Sequence, residues 1–465
     1  MKRNKKNIII TTLALVVIGL ITWGCIYLFA PKAYDEMIPA EAKIVIRLQP
    51  SESNAAELKK IVDAIGMTTE GVDLSNPIYA FVTPNEYIGI TAKISDEKLI
   101  RNAIDKLLQQ KKAQSIEESD GMQWTWIQTG WLIAWTHRAL LVVGPGLAAE
   151  RDLLRQTAST LVNSGNCFKN TPAFDHLKTE GGFMQIYATM DALPAPYNMI
   201  FRLNIPATCD PAAVQLYASA EKQTKCKTLI SSTINSDNES ILEEIKSSES
   251  IKSKLTITRP ELTDSALFYM ATSLQGKDLL SMLKTDATLR GLLLGVNQTI
   301  DADKILGSTN GLFSIELGEF DKDWTPSFCL KGQTASKNLF SDAPYWMKSA
   351  KKQHGVTLNQ LTPTDYFLKG NKEQVRFGLT PHDNTPCYYF ASPSMESTIS
   401  TPMYVSRTSA NTGEFTYVSI NLTRLFQQPS MREGTIATLL KTLIPGTRRL
   451  TYKALPGLKG QMIIE

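Results

Sequence analysis

From Ile8 to Ala30 the chain carries no charged side chain and is rich in Ile, Leu and Val. At a helical rise of about 1.5 Å per residue, such a stretch reaches roughly 34 Å and covers a hydrocarbon core of about 30 Å. The pattern predicts a transmembrane helix. Beyond it the apolar period changes. Lys43-Ile44-Val45-Ile46-Arg47-Leu48 reads as a strand. Leu58, Ile61, Val62 and Ile65 then recur at helical spacing within 54–65. Runs 77–83 and 87–94, parted by Pro84-Asn85-Glu86, predict a hairpin. Residues 96–110 predict an amphipathic helix with Leu99, Ile100, Ile104 and Leu107 on one side. Strands at 124–128, 131–136 and 139–143 lead through Gly144 into a helix near Ala148.

A similar order follows later in the chain. A strand at 265–272 precedes a helix with Leu279, Leu280, Met282 and Leu283. Segments 311–317 and 327–331 resemble the hairpin, 342–353 the second helix, and 365–369 with Gly370 the strand-to-helix turn. Strands at 415–422 and 449–454 match those expected at 182–190 and 214–220. The expected fold class is α+β: a cytoplasmic tail and transmembrane anchor (1–33), then two diverged copies of an antiparallel-sheet-plus-helices unit, 34–258 and 259–465. The polar stretch 231–254 is expected to end a hairpin and link the copies.

Charge adds a direction to the anchor. Lys2, Arg3, Lys5 and Lys6 precede the apolar run and Lys32, Asp35, Glu36 and Glu41 follow it, so the N-terminus is expected inside and the bulk of the chain outside the inner membrane, in the periplasm. The 49 basic and 45 acidic residues give +4, which those four basic residues supply. The remainder is neutral, which gives no electrostatic reason to bind nucleic acid. Thr22-Trp23-Gly24-Cys25 also offers a lipoprotein reading with Cys25 lipidated, against which the apolar run continues past Cys25. Outside the anchor lie Cys167, Cys209, Cys226, Cys329 and Cys387, an odd number, with Cys209 to Cys226 the most local pairing.

The basic-then-apolar start, Ile38-Pro39-Ala40-Glu41-Ala42 before the first strand, and Thr171-Pro172-Ala173-Phe174 before a Gly-bounded strand together resemble bacterial envelope proteins of unknown function of the Bacteroidota type. The resemblance implies a location and an architecture and carries no catalytic residues.

Motifs for chemistry are sparse. Gly144-Pro145-Gly146-Leu147-Ala148-Ala149 matches a Gly-x-Gly-x-x-Ala fingerprint, but no parallel βαβ unit surrounds it, so it reads as a structural turn. Ser281-Met282-Leu283-Lys284 and Ser236-Asp237-Asn238 match two penicillin-binding-protein motifs in reversed order and lack Lys-Thr-Gly. His137, His176, His354 and His382 stand apart, and Asp301-Ala302-Asp303 and Asp321-Lys322-Asp323 do not continue into a calcium loop. No metal or cofactor is expected.

The compositional outlier is 123–137, which holds Trp124, Trp126, Trp131 and Trp135 of the seven tryptophans. Period-two geometry puts Trp124 and Trp126 on one face of a strand and Trp131 and Trp135 on one face of the next. These rings either fill a core or form an aromatic platform for an envelope protein or glycan partner. The expected function is that of a non-enzymatic binding or scaffolding module of the envelope. The alternative is a cell-envelope hydrolase whose site is assembled from residues distant in sequence.

Overall fold

The computed structural model describes residues 32–50, 69–119, 121–192, 205–206, 208–224, 227–252, 256–257, 266–285, 287–320, 326–336, 338–370, 374–380, 386–400, 405–406, 414–427 and 448–465. The expected anchor, Cys25, Cys226, the expected helix 54–65 and Asp321 and Asp323 lie outside the described residues. The chain divides into two compact units, Met1–Gln185 and Ile186–Glu465.

In the first unit, strands β1 (Ile44–Leu48), β2 (Ile78–Val82), β3 (Ile88–Lys93), β4 (Glu117–Ser119), β5 (Met122–Ile127), β6 (Trp131–Trp135) and β7 (Ala139–Gly144) pair antiparallel in the order β1-β2-β3-β7-β6-β5-β4. The hairpin expected around Pro84-Asn85-Glu86 is β2–β3, with Ala80 opposite Ile90. Helix α1 (Glu97–Gln109) begins where the Asp96 side chain accepts from the Lys98 N–H at 2.8 Å, and it buries Ile100, Ala103 and Ile104. An Asp in this position satisfies a donor that the first turn leaves unpaired. Helix α2 (Arg151–Asn163) buries Leu154, Ala158 and Leu161. Thr171-Pro172-Ala173-Phe174 starts helix α3 (Pro172–Thr179): Thr171 is its cap, Pro172 needs no N–H there, and Phe174 is buried. Strand β8 (Met184–Thr189) spans the boundary between the units.

The second unit runs β9 (Gln215–Thr224), β10 (Lys227–Asn235), α4 (Glu239–Lys252), β11 (Thr256–Ile257), β12 (Phe268–Gln275), α5 (Gly276–Thr285), α6 (Ala287–Asn297), α7 (Ala302–Gly307), β13 (Thr309–Phe320), β14 (Pro326–Thr334), α8 (Ala343–Lys351), β15 (Thr357–Thr362), β16 (Asp365–Lys369), β17 (Gln374–Leu379), β18 (Cys387–Ala391), α9 (Glu396–Ile399), β19 (Val405–Ser406), β20 (Thr416–Asn421), α10 (Leu422–Gln427), β21 (Arg449–Leu455) and β22 (Lys459–Ile464). Its antiparallel order is β9-β10-β22-β21-β20-β12-β13-β14-β18-β17-β16-β15, and β11 pairs with β19. The α5 to α8 helices pack on one face of this sheet around Leu279, Leu306, Phe340 and Trp346. Aromatic rings tie that core together: Tyr366 stacks on Phe377 at 5.4 Å and Phe377 on Phe390 at 5.6 Å.

This topology corrects the expected fold class. Two copies divided near residue 258 do not exist as separate sheets, because β10, assigned to the first copy, pairs with the C-terminal β22 from Thr228 opposite Ile464 to Thr233 opposite Lys459. The stretch 231–254 is therefore no linker. It holds the end of β10 and all of α4, and its Ser and Asn residues fill strand positions and the Asn238 cap instead of a loose connection. Nor does Gly370 open a helix, since β16 is followed by β17. Among the described residues no helix is long and apolar enough to cross a membrane, and this says nothing of spanning strands.

Candidate functional site

Strand alternation gives the second unit's sheet two chemically different faces. Met270, Thr272 and Leu274 of β12 align with Ile315 and Phe313 of β13, Leu330 of β14 and Val418 of β20, and face the helices. The intervening positions form the opposite face: Tyr269, Ala271 and Ser273 beside Glu316, Ser314 and Leu312, with Cys329 and Lys331 on β14 and Tyr389 on β18 next in register. On β20 and β21 the same face carries Tyr417, Ser419, Lys453 and Thr451. Lys331 and Lys453 are buried, at 5% and 9% exposure, and both are compensated: Lys331 Nζ donates to the Thr398 carbonyl and Lys453 Nζ to Glu414. An ammonium so buried without partners would cost several kcal/mol.

Burial dominates the acid–base behaviour of this face. It raises Glu316 above the ordinary carboxylate range, against the pull of Lys331, and pushes the Cys329 thiol up to about 11. Tyr269 is raised as well, by burial and by Glu316. One end of the face is closed by Asp365, which accepts from the Tyr389 hydroxyl at 2.5 Å and from Arg376 Nη2 at 2.6 Å, while Arg376 Nη1 donates to Glu396 at 3.2 Å. That network is internally satisfied. It locks strands β16, β17 and β18 and offers no free group for chemistry.

The other end opens. Where β12 ends and β13 begins, a cleft of about 710 Å³ is lined by Ser273, Gln275, Asn310, Ser281, Thr208 and Glu244 among others. Gly276 starts α5 at this rim, and a Cβ there would collide with the carbonyl of Gly307, so only glycine lets α5 begin against the end of α7. Gln275 Nε2 donates to Asn310 Oδ1 at 3.1 Å, and the Thr208 hydroxyl donates to Glu244. Burial, with the neighbouring Glu244 carboxylate, pushes the Cys209 thiol up to about 11. A wall of hydroxyls, amides and one Lys277–Asp278 sequence pair suits a ligand that forms many hydrogen bonds. The sequence signal for it was the polar alternation Ser273, Gln275 and Asn310, which period-two reading flags only once the strand register is known.

The four tryptophans do not converge. Trp124 pairs with Ala134 and Trp126 with Leu132, so they lie on the face opposite Trp131 and Trp135, which pair with Ile127 and Gln123. Trp124, Trp126 and Trp135 are 2%, 6% and 1% exposed, and Trp131 is partly buried against the α1 core. On the other face the guanidinium groups of Arg151 and Arg155 stand 5.3 Å and 4.8 Å from the Trp124 ring centre. The indole N–H groups of Trp124 and Trp135 are buried without a hydrogen-bond partner.

The family model for a domain of unknown function, DUF4836, matches residues 36–434. The chain belongs to this DUF4836 family. Its span takes in both the tryptophan-bearing strands and the cleft. Three solved structures of TP0453 are similar in part: crystal form I at 15% identity and TM-score 0.31 over 50% of this chain and 89% of that one, and crystal form III at 15% and 0.30 over 50% and 91%. No curated protein matches the chain.

The remaining motif residues of this DUF4836 chain have structural occupations. Lys284 of the Ser-x-x-Lys match points its Nζ 2.5 Å from Asp303, not at Ser281. Ser236 donates to the Ala213 carbonyl, Asp237 accepts from Gln215, and Asn238 caps α4. At the glycine turn, Gly146 N–H donates to the Gly130 carbonyl at 2.8 Å and Glu150 accepts from Leu147 N–H at 2.8 Å, so the chain's own carboxylate takes the place a phosphate would need. Asp301 caps α7. Cys167, Cys209, Cys329 and Cys387 are buried and none forms a disulfide, so Cys209 is unbridged. Among the described residues no three His, Cys, Asp or Glu are grouped to hold a metal ion.

Proposed function

We propose that the chain is a non-enzymatic binding module of the cell envelope, and that its ligand is a small polar molecule, or the polar end of a larger one, held in the cleft at the ends of β12 and β13. The observation that carries this reading is the cleft itself: about 710 Å³ lined by Ser, Thr, Gln and Asn side chains together with Glu244, Lys277 and Asp278. Hydroxyl and amide groups of this kind orient a ligand through hydrogen bonds. The hydrolase alternative loses its Ser-x-x-Lys motif there, because the lysine paired in sequence with Ser281 is committed to Asp303. Thermal-shift screening of wild type and a Ser281→Trp variant against a library of polar fragments tests the reading. Fragments that raise the wild-type melting temperature and lose their effect in the variant are expected. Fragments acting equally on both proteins place binding elsewhere.

A further inference from the structure

A second hollow, of about 410 Å³, lies in the same unit between the α6–α7 turn and helix α8, and its lining includes Asn297, Gln298, Asp301, Asp342, Tyr345 and Ser349. Tyr345 stands in the first turn of α8 with 72% of its surface open to water, while the adjacent Trp346 is 2% exposed in the core. The helix is anchored by the tryptophan and presents the tyrosine ring at the mouth of the hollow. An isolated exposed aromatic side chain needs no explanation. This one adjoins a wall whose polar groups are already held in place.

Asp301 Oδ1 accepts from Lys304 N–H at 2.9 Å, and Lys304 Nζ lies 2.5 Å from Asp342 Oδ2. Asn297 exchanges two hydrogen bonds with Asp303, at 2.7 Å and 3.1 Å. The Gln298 carbonyl accepts from Gln353 at 2.8 Å and from Ser349 at 3.3 Å. The Gln298 carbonyl is thereby filled, but Asp301 and Asp342 keep acceptor sites, since a carboxylate has about four. Lys304 also offsets the charge of Asp342, so the hollow lacks the doubled negative charge that would select a cation.

A rigid ring beside fixed carboxylate and amide groups matches a molecule with one flat C–H face and a rim of hydroxyls. We propose that this hollow is a saccharide site, in which a neutral sugar ring stacks on Tyr345 and donates its hydroxyls to Asp301 and Asp342. It is independent of the β12–β13 cleft and requires no reaction.

Saturation-transfer NMR on the full chain tests the site with three probes: maltotetraose, cellotetraose and tetra-N-acetylchitotetraose. At least one probe is expected to receive saturation, strongest on the protons of one ring face. Tyr345→Ala should weaken that binding about tenfold or more, whereas Tyr345→Phe and Tyr345→Trp keep it because the ring remains. Ser281→Trp, which fills the other cleft, should leave it intact. No transfer to any of the three probes, undiminished transfer in Tyr345→Ala, or loss in Ser281→Trp would each overturn the proposal.

Discussion

The sheet of the first unit is apolar on both sides, whereas the second unit's sheet is apolar on one side and carries Lys, Glu, Tyr and Ser on the other. In β5 and β6 consecutive residues, such as Trp124-Thr125-Trp126 and Leu132-Ile133-Ala134-Trp135, are buried whichever way they point. Helix α1 covers one face and α2 approaches the other. In β12 to β14 one face is lined by the helix core, while the other carries Tyr269, Ser273, Glu316, Ser314 and Lys331 around a small apolar group of Ala271 and Leu312. The contrast teaches that a cluster of large aromatic residues marks a two-sided core, while alternating polar residues that are nonetheless buried mark the face that leads to a cleft.

The comparison breaks most visibly at Trp135. Trp135→Ala should cost about 3–5 kcal/mol in chemical denaturation of the first unit, the range for emptying a large buried aromatic site. A loss near zero would mean that the ring is a surface platform after all. Asp365→Ala should cost less, about 2–3 kcal/mol, because Arg376 is partly open to water and recovers hydration when its buried carboxylate partner is lost. The replacement leaves the β12–β13 cleft unchanged, so fragment binding there should survive it.

Proton linkage separates the units by sign. Burial raises Glu316, so the native second unit keeps a proton that the unfolded chain has released; this contribution is complete below the ordinary Glu value near ~4.3 and is lost as pH rises through the raised value. Asp73 in the first unit is pulled down to about 2 by the Ser75 hydroxyl, Lys93 and the Ser75 N–H. Its contribution is present above the ordinary Asp value near ~3.9 and is lost as pH falls through about 2. Urea midpoints of wild type against Glu316→Gln should therefore converge toward acid pH as the wild type regains its advantage, and those against Asp73→Asn should converge only at the acid extreme. The smallest effect is expected for Arg155→Ala, about 0.5–1 kcal/mol, from loss of the cation over Trp124. An unchanged midpoint there would reduce the arginine to a bystander.

Local elements were legible because local causes fix them. Pro84-Asn85-Glu86 made the hairpin, Asp96 and Thr171 sit at helix starts, and the apolar spacing of α1 matches what it buries. The repeat was misread because strand partners are chosen by register over long range. Nothing near Thr228 announces that Ile464 will lie opposite it. The tryptophan faces were half legible: alternation gave the face within each strand, but the β5–β6 register, which turns the two pairs to opposite sides, depends on the Gln128-Thr129-Gly130 turn. The cleft was invisible for the same reason, since Ser273 and Asn310 meet only after β12 and β13 pair, and Thr208 joins them from before β9.

The central claim is that binding belongs to the second unit's polar cleft and not to the tryptophan-bearing sheet. A crystallographic fragment screen tests it in one measurement. The account predicts polar fragments lodged against Ser273, Gln275 and Asn310, with none between Trp124, Trp126, Trp131 and Trp135. Fragments gathered on the tryptophan strands beside an empty cleft would contradict it.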